Sequence, residues 1–270
     1  MQRISAIIPH AGGRELLTAC VDSLSASQAV ELETIIVDNG VVSDVDESLR
    51  SRAPSVHILR YECNIGFAAA CNRGVEAASG DFVFLLNNDA VVDPDCLFKL
   101  AQYLTDNPEV AACQPKILSL LKPGWFDYSS AAGGEMDVYG YPFAQGRIFD
   151  TVEPDHGQYD DTRYIFWGAG AALMIRRELF LAAGGLTEWF FAHMEEIDLL
   201  WRLQLMGYRV AVVGEAKAYH RGAMTIRAGS FRKFYLNHRN SLAMMVRNYS
   251  FFSLLKFLPV RLWLDLITLL

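Results

Sequence analysis

At 270 residues, 52% of them hydrophobic and 20% charged, with only 20 Gly and 9 Pro, the chain has the composition of one large or two small globular domains. That excludes a disulfide-stapled mini-protein, a disordered segment and a fibrous repeat. The formal charge of −7 is unevenly placed: residues 221–270 carry eight Lys or Arg against one acid and sum to +7, leaving −14 for the rest. A basic, aromatic-rich tail on an acidic body points that tail at an anionic surface, either a membrane leaflet or nucleic acid. The five cysteines are scattered and form no CxxC pair, so inert thiols in a reducing compartment are expected and a zinc site is not.

Ile4 to Ile8 is an apolar run closed by Pro9-His10, too short for a signal peptide's apolar region. Gly12-Gly13 then leads into Arg14 to Leu24, where Leu16, Leu17, Cys20, Val21 and Leu24 recur at helical spacing. Strands follow at Leu32 to Val37 and Val56 to Leu59, an alanine-rich helix at Phe67 to Ala78, and a strand at Asp81 to Leu86. The last is apolar almost throughout, as parallel strands buried on both faces are. Asp93-Pro94 starts a helix over Leu97 to Leu104, and Val110 to Leu118 is a fifth strand. Strands alternating with helices predict an α/β fold with a mainly parallel sheet.

Lys122 to Gln158 is rich in Gly and aromatics and reads as irregular structure or short antiparallel strands over a cleft. Phe166 to Arg176 reads as a strand around Gly168-Ala169-Gly170, Met194 to Met206 as a helix ended by Gly207, and Arg209 to Val213 as the last strand. The expected organisation is a domain over 1–220, with a nucleotide-binding half to about residue 118 and an acceptor and catalytic half beyond it. A basic, apolar helical segment occupies 221–270.

Ligands of parallel sheets bind beyond the carboxyl ends of the strands. Those ends carry Pro9-His10, Asp38-Asn39-Gly40, Asn64-Ile65-Gly66 and Asn87-Asn88-Asp89. Asp38 there could accept hydrogen bonds from a base or ribose, and Asp89 could hold a divalent cation. Neither a Walker A loop nor GxGxxG is present, so phosphate charge falls to such a cation, to Arg73 and to the helix N-terminus beside it. Glu195-Glu196-Ile197-Asp198 opens a helix, where the dipole favours acids in any case. Crowded behind Trp189-Phe190-Phe191 and His193, the same acids also suit a general base of raised pKa. His220 could be an imidazole ligand to the same cation.

In this order the segments resemble the family-2 glycosyltransferases, inverting enzymes of the GT-A fold, and especially their rhamnosyltransferase-like branch. The matching stretches are Ile7-Ile8-Pro9-His10, Ile36-Val37-Asp38-Asn39-Gly40, Asn64 to Gly74, Leu85-Leu86-Asn87-Asn88-Asp89, Gly168-Ala169-Gly170-Ala171, Gly184-Gly185-Leu186, Glu195 to Leu199 and Tyr219-His220. The resemblance implies that Pro9, His10, Asp38, Asn64 and Arg73 line the nucleotide pocket. It makes Asn87-Asn88-Asp89 the counterpart of the family's DxD, with Asp89 binding Mg²⁺ or Mn²⁺ and His220 as a further ligand. Gly168 would lie against the donor sugar. The family's usual base, an Asp, falls at Glu196, one methylene longer, with Glu195 and Asp198 as the other candidates. The implied reaction is a single displacement that moves a sugar, rhamnose in the branch resembled, from a nucleoside diphosphate to a glycan or lipid-linked acceptor.

The apolar stretch Ser250 to Leu270 is interrupted by Lys256, Pro259, Arg261 and Asp265, which argues against a bilayer span. With Arg227, Arg232, Lys233, Arg239 and Arg247 upstream, it reads as an amphipathic segment on the cytoplasmic face of a membrane, or as a helix packed back on the domain. Nucleic acid fits less well, because the body is acidic and no binding motif is present. Two rivals remain: a sugar nucleotidyltransferase, of whose glycine-rich basic loop Gly12-Gly13-Arg14 is only a fragment, and a non-catalytic sugar-nucleotide or membrane-binding module.

Overall fold

The computed structural model describes residues 1–40, 45, 47–53, 55–128, 131–222 and 231–268. In chain order the first half runs β1 (Arg3–His10), α1 (Arg14–Ser25), β2 (Glu31–Asn39), β3 (Val56–Tyr61), α2 (Phe67–Ala77), β4 (Phe82–Leu86), a short β5 (Ala90–Val92), α3 (Cys96–Asp106) and β6 (Val110–Ser119). Every residue of β4 is buried, as its unbroken apolar run requires. Leu17, Cys20, Val21 and Leu24 are the buried face of α1, which is the periodicity read from sequence.

The excursion after β6 holds two small antiparallel hairpins, β7 (Gly134–Met136) with β8 (Pro142–Ala144) and β9 (Arg147–Ile148) with β10 (Thr151–Val152), before β11 (Arg163–Tyr164). It is tied to the sheet by Lys116, 1% exposed, whose ammonium pairs with Asp155 at 2.8 Å and with Asp160. β12 (Ala172–Arg176), α4 (Arg177–Ala182), α5 (Glu195–Leu205) and β13 (Arg209–His220) complete the sheet layer, and α6 (Phe231–Asn248) and α7 (Phe251–Thr268) follow.

Among the described residues the main sheet has the order β11-β13-β6-β12-β4-β1-β2-β3, with β5 paired to β13. The pairs β1/β2, β1/β4, β2/β3 and β6/β13 are parallel, whereas β12 lies antiparallel between β4 and β6.

Two strands differ from their sequence reading. The strand expected from Phe166 shrinks to Ala172–Arg176 because residues 167–169 turn aside: the Trp167 carbonyl accepts from Gly134 N–H, and the Ala169 N–H is claimed by Gln114 Oε1. The strand expected to stop at Val213 continues to His220, since a register shift between Val213 and Lys217 absorbs Gly214-Glu215 without ending the pairing with β6.

The C-terminal helices agree with the reading that no bilayer span is present, and they place their charges unexpectedly. No described helix is long and apolar enough to cross a membrane. On α7, however, the charged Arg261 and Asp265 are buried while Phe252, Leu255 and Trp263 are exposed, the reverse of an amphipathic helix whose charges face water. Arg227, Leu269 and Leu270 lie outside the described residues.

Candidate active site

β1, β2, β3 and β4 run parallel and end at one edge, where His10 stands opposite Asp38 and Asp38 opposite Arg60. Asp38 is fully buried and accepts a hydrogen bond from Arg60 Nη1 at 3.3 Å, while Arg60 Nη2 donates to the Val45 carbonyl. Pro9 closes β1, and the buried His10 accepts from Asn88 Nδ2 at 3.0 Å through its Nδ1. Asn88 Nδ2 also donates to the Gly12 carbonyl at 2.8 Å, so the β1 and β4 ends are fastened together.

Asn64 joins this edge through Asn39, which sequence reasoning did not single out as a site residue. Asn39 Nδ2 donates to Asn64 Oδ1 and to the Gly66 carbonyl, and Asn39 Oδ1 accepts from Ile65 N–H at 2.8 Å. Gly40 is required beside it: at φ +85° a Cβ would sit 2.7 Å from the Asn64 nitrogen. Arg73 is not brought to this edge. Lying well along α2, it pairs with Glu76 at 2.9 Å and Glu188 at 3.3 Å, so its charge is neutralised on the helix surface.

Asp89 follows β4, and β13 returns His220 to it. The antiparallel pairing of β13 with β5 sets His220 opposite Ala90, which puts its Nε2 3.1 Å from Asp89 Oδ1 and 3.2 Å from Asn87 Nδ2. Its Nδ1 lies 3.2 Å from Asp127 Oδ1. All three of Asp89, Asp127 and His220 are 4–5% exposed. Burial on its own would lower the imidazole, but Asp127 and Asp89 reverse the effect and raise it to about 10. Asp127 comes from the long excursion, where no spacing pattern marked it.

This donor set suits a divalent cation. Asp89 and His220 would supply one carboxylate oxygen and one imidazole nitrogen, and a diphosphate would fill further positions. Among the described residues no three His, Cys, Asp or Glu side chains form a metal cage by themselves. With its Nδ1 held by Asp127, His220 would offer Nε2 to a cation that displaces the proton now shared with Asp89, the usual carboxylate–histidine arrangement.

The acidic cluster divides into three environments. Asp198, fully buried, accepts from Thr187 Oγ1 at 2.7 Å and Arg202 Nε at 3.1 Å on one oxygen and from Asn248 Nδ2 at 2.8 Å on the other. Of the three candidates for the base, it is the one committed to holding α5 against its neighbours. Glu195 and Glu196 each keep an oxygen without a hydrogen-bond partner. Burial raises the Glu195 carboxyl well above the usual range, and the neighbouring Glu196 raises it further. Burial raises Glu196 too, opposed by its own backbone N–H and that of Gly170.

The segment before these acids is unusual backbone. Phe191, His193 and Met194 all have positive φ, near 68–73°, a region costly for side-chain-bearing residues. The buried Asn240 of α6 holds it there, its Nδ2 donating to the carbonyls of Phe190, Ala192 and His193 at 3.1, 3.0 and 2.7 Å. Burial, aided by Lys233, lowers the His193 imidazole to about 4, so it is neutral at physiological pH. From the other side, Phe67 N–H at the start of α2 donates to the Phe191 carbonyl at 2.9 Å.

One loop joins the two clusters. The Asn87 N–H donates to the Ala171 carbonyl at 3.0 Å, and the N–H of the adjoining Gly170 favours the ionised form of the Glu196 carboxylate. Gly168, expected near the donor sugar, packs on Gln114: a Cβ there would lie 3.0 Å from Gln114 Oε1.

A mainly parallel sheet with acidic residues and an imidazole gathered at its strand ends, flanked by helices, is the architecture of the GT-A fold. The profile described as "Glycosyl transferase family 2" matches residues 5–164, and the chain belongs to that family. Among curated relatives, the O-antigen biosynthesis protein RfbC of Myxococcus xanthus is 28% identical over 231 residues, covering 84% of this chain and 18% of RfbC. N-acetylglucosaminyl-diphospho-decaprenol L-rhamnosyltransferase of Mycobacterium tuberculosis is 27% identical over 219 residues, 74% of this chain and 70% of that protein.

Solved structures of similar fold include GalNAc-T7 with UDP, GalNAc and Mn²⁺, at TM-score 0.70, 16% identity and 90% of this chain. The Pyrobaculum calidifontis mannosyltransferase PcManGT with GDP-Man and Mn²⁺ has TM-score 0.65 and 17% identity over 92% of this chain. The chain spans 47% of the GalNAc-T7 chain and 65% of the PcManGT chain. Membership of that family makes it a glycosyltransferase.

Proposed function

We propose that the chain catalyses inverting transfer of a sugar, with rhamnose the first to test, from a nucleoside diphosphate to a hydroxyl of a glycan or lipid-linked glycan. The setting is synthesis of cell-surface polysaccharide at the cytoplasmic face of the membrane. The observation that carries this reading is the loop shared by the two clusters: Asn87, beside Asp89 and His220, donates its N–H to the Ala171 carbonyl, and the N–H of the adjoining Gly170 favours the ionised form of Glu196. Leaving-group and acceptor chemistry thereby meet across one backbone turn. The sugar is suggested by the mycobacterial relative, a rhamnosyltransferase in name.

Asp38 and the Asn39–Asn64 pair form the floor for the donor's nucleoside. Asp89 and His220 would hold the divalent cation, whose charge neutralises the departing diphosphate. Of the acid pair, Glu195 keeps its proton, and the single negative charge rests on Glu196, where two N–H groups stabilise it. Glu196 takes the acceptor hydroxyl's proton as that oxygen attacks the anomeric carbon opposite the diphosphate, so configuration inverts. No covalent glycosyl-enzyme is needed, and the carboxylates have no nucleophilic role.

The test is calorimetric titration of the chain with UDP, dTDP and GDP, with and without Mn²⁺, repeated on Asp89→Ala. Metal-dependent binding of one diphosphate that the variant loses supports the donor site and narrows the sugar to those that nucleotide carries. A folded chain that binds none of them refutes it.

A further inference from the structure

Helix α7 carries Arg261 and Asp265 on the protein side. Its buried residues are Arg261 and Asp265, bonded Nε to Oδ2 at 2.9 Å across one turn. Arg261 Nη1 donates to the Tyr139 carbonyl at 2.9 Å and to Ser241 Oγ at 3.0 Å, and the guanidinium lies 3.8 Å from the Tyr141 ring centroid. Asp265 Oδ1 accepts from Tyr141 Oη at 2.8 Å and stands 3.1 Å from His238 Nδ1. Both charges are thus satisfied inside, where they fasten α7 to α6 and to the 137–141 turn.

The outer side is apolar. Phe252, Leu255, Leu262, Trp263 and Leu266 recur along one stripe, 80, 60, 50, 62 and 57% exposed. Isolated apolar residues on a surface need no explanation, but a continuous stripe on a helix that has turned two of its three charges inward does.

We infer that this stripe seats α7 in the interface of an anionic lipid bilayer. The choice of occupant rests on charge. With Arg261 and Asp265 neutralising each other, the remaining charged residues of 221–270 are seven Lys or Arg, among them the exposed Lys256 and Arg232. A second copy docked stripe to stripe would bring two such segments together. A leaflet of anionic headgroups complements them and accepts the apolar stripe to a depth of about 5–10 Å. Seated there, α6 would hold the Glu195-Glu196 segment, through Asn240, at a fixed height above the bilayer. The inference deepens the reading of a lipid-linked acceptor and rests on that reading for its purpose only.

The experiment is co-sedimentation of the full chain with vesicles of phosphatidylcholine alone and of phosphatidylcholine mixed with phosphatidylglycerol. It is repeated on Leu262→Glu/Leu266→Glu and on Trp263→Glu, with light scattering on each protein. The native chain is expected to bind the anionic vesicles on the order of tenfold more tightly than the neutral ones. Both variants, substituted at exposed positions, should lose on the order of tenfold in that binding while keeping their melting temperature and Mn²⁺-dependent nucleotide binding. Absence of native binding, or variants that bind as well as native, would overturn the inference. So would a native dimer that the variants dissolve, which would assign the stripe to a second copy. Nucleotide titration of the same preparations reports separately on the donor site, so failure of one reading leaves the other standing.

Discussion

His220 Nε2 stands 3.1 Å from Asp89 Oδ1 because β13 runs on past its register shift and pairs with β5. The imidazole's other nitrogen is held by Asp127 at 3.2 Å. Asp127 therefore orients the cation ligand without touching the cation. Asp127→Ala is expected to weaken Mn²⁺ binding by about 10- to 100-fold, and Asp127→Asn, which keeps the acceptor oxygen but not the charge, by less. Titration with Mn²⁺ alone, followed by electron paramagnetic resonance, checks this; unchanged affinity in both folded variants would remove Asp127 from the site.

The two neighbouring glutamates should separate cleanly in turnover. Glu196→Gln is expected to lower kcat by about 10²- to 10⁴-fold, the usual contribution of a general base, with donor binding intact. Glu195→Gln preserves the proton that Glu195 already carries and should stay active. The reverse ranking, measured by release of nucleoside diphosphate, would transfer the base to Glu195.

Glu195 also predicts a pH dependence of stability. Burial and the neighbouring Glu196 raise its folded pKa well above 4.5. Between 4.5 and that raised value the unfolded chain has released the proton and the folded chain still holds it, so stability falls as pH rises. Glu195→Gln removes this penalty. Its melting temperature should exceed that of the native chain at pH 7–8 and match it near pH 4; a gain of equal size at both would contradict the assignment.

Asn240→Ala leaves the carbonyls of Phe190, Ala192 and His193 without the donor that holds three positive-φ residues in place. A loss of about 1–3 kcal/mol in unfolding free energy is expected from the lost hydrogen bonds. The fall in kcat should be larger than any change in donor KM, since the segment positions the base and not the nucleotide. Equal changes in the two constants would argue that Asn240 is structural only.

The parts of this fold legible in sequence are those with a strong local signal. β1, β2 and β4 fall within two residues of their reading because strands buried on both faces are written as apolar runs, and the edge strand β3 does so on the short apolar and β-branched run around Ile58-Leu59. β13 looked shorter because its pairing resumes at Lys217-Ala218-Tyr219, an alternating edge that resembles a loop once Gly214-Glu215 has broken the run.

Asp89, His220 and the acid pair were found because they follow strands or open a helix. Asp127 and Asn240 were not: each is a single polar residue whose role lies in a partner about 50 or more positions away. Arg73 was placed near the phosphates because no glycine loop was there to hold them, but Glu76 and Glu188, one of them over a hundred positions distant, pair with it instead. On α7, hydropathy marked Arg261 and Asp265 as interruptions; only the partners Tyr141, Ser241 and His238 reveal which side of the helix they serve.

The meeting of β5 with β13 also bears on how the site comes into being. During synthesis the nucleotide-floor residues leave the ribosome first, and Asp89 waits unpartnered for the last strand of the sheet to arrive. On the proposed assignment, until His220 is laid beside Ala90 the chain would have a place for a nucleoside but only one of its two cation ligands. Completion of the sheet and assembly of that cation site would then be one event, and a chain lacking the final strand would lack the site.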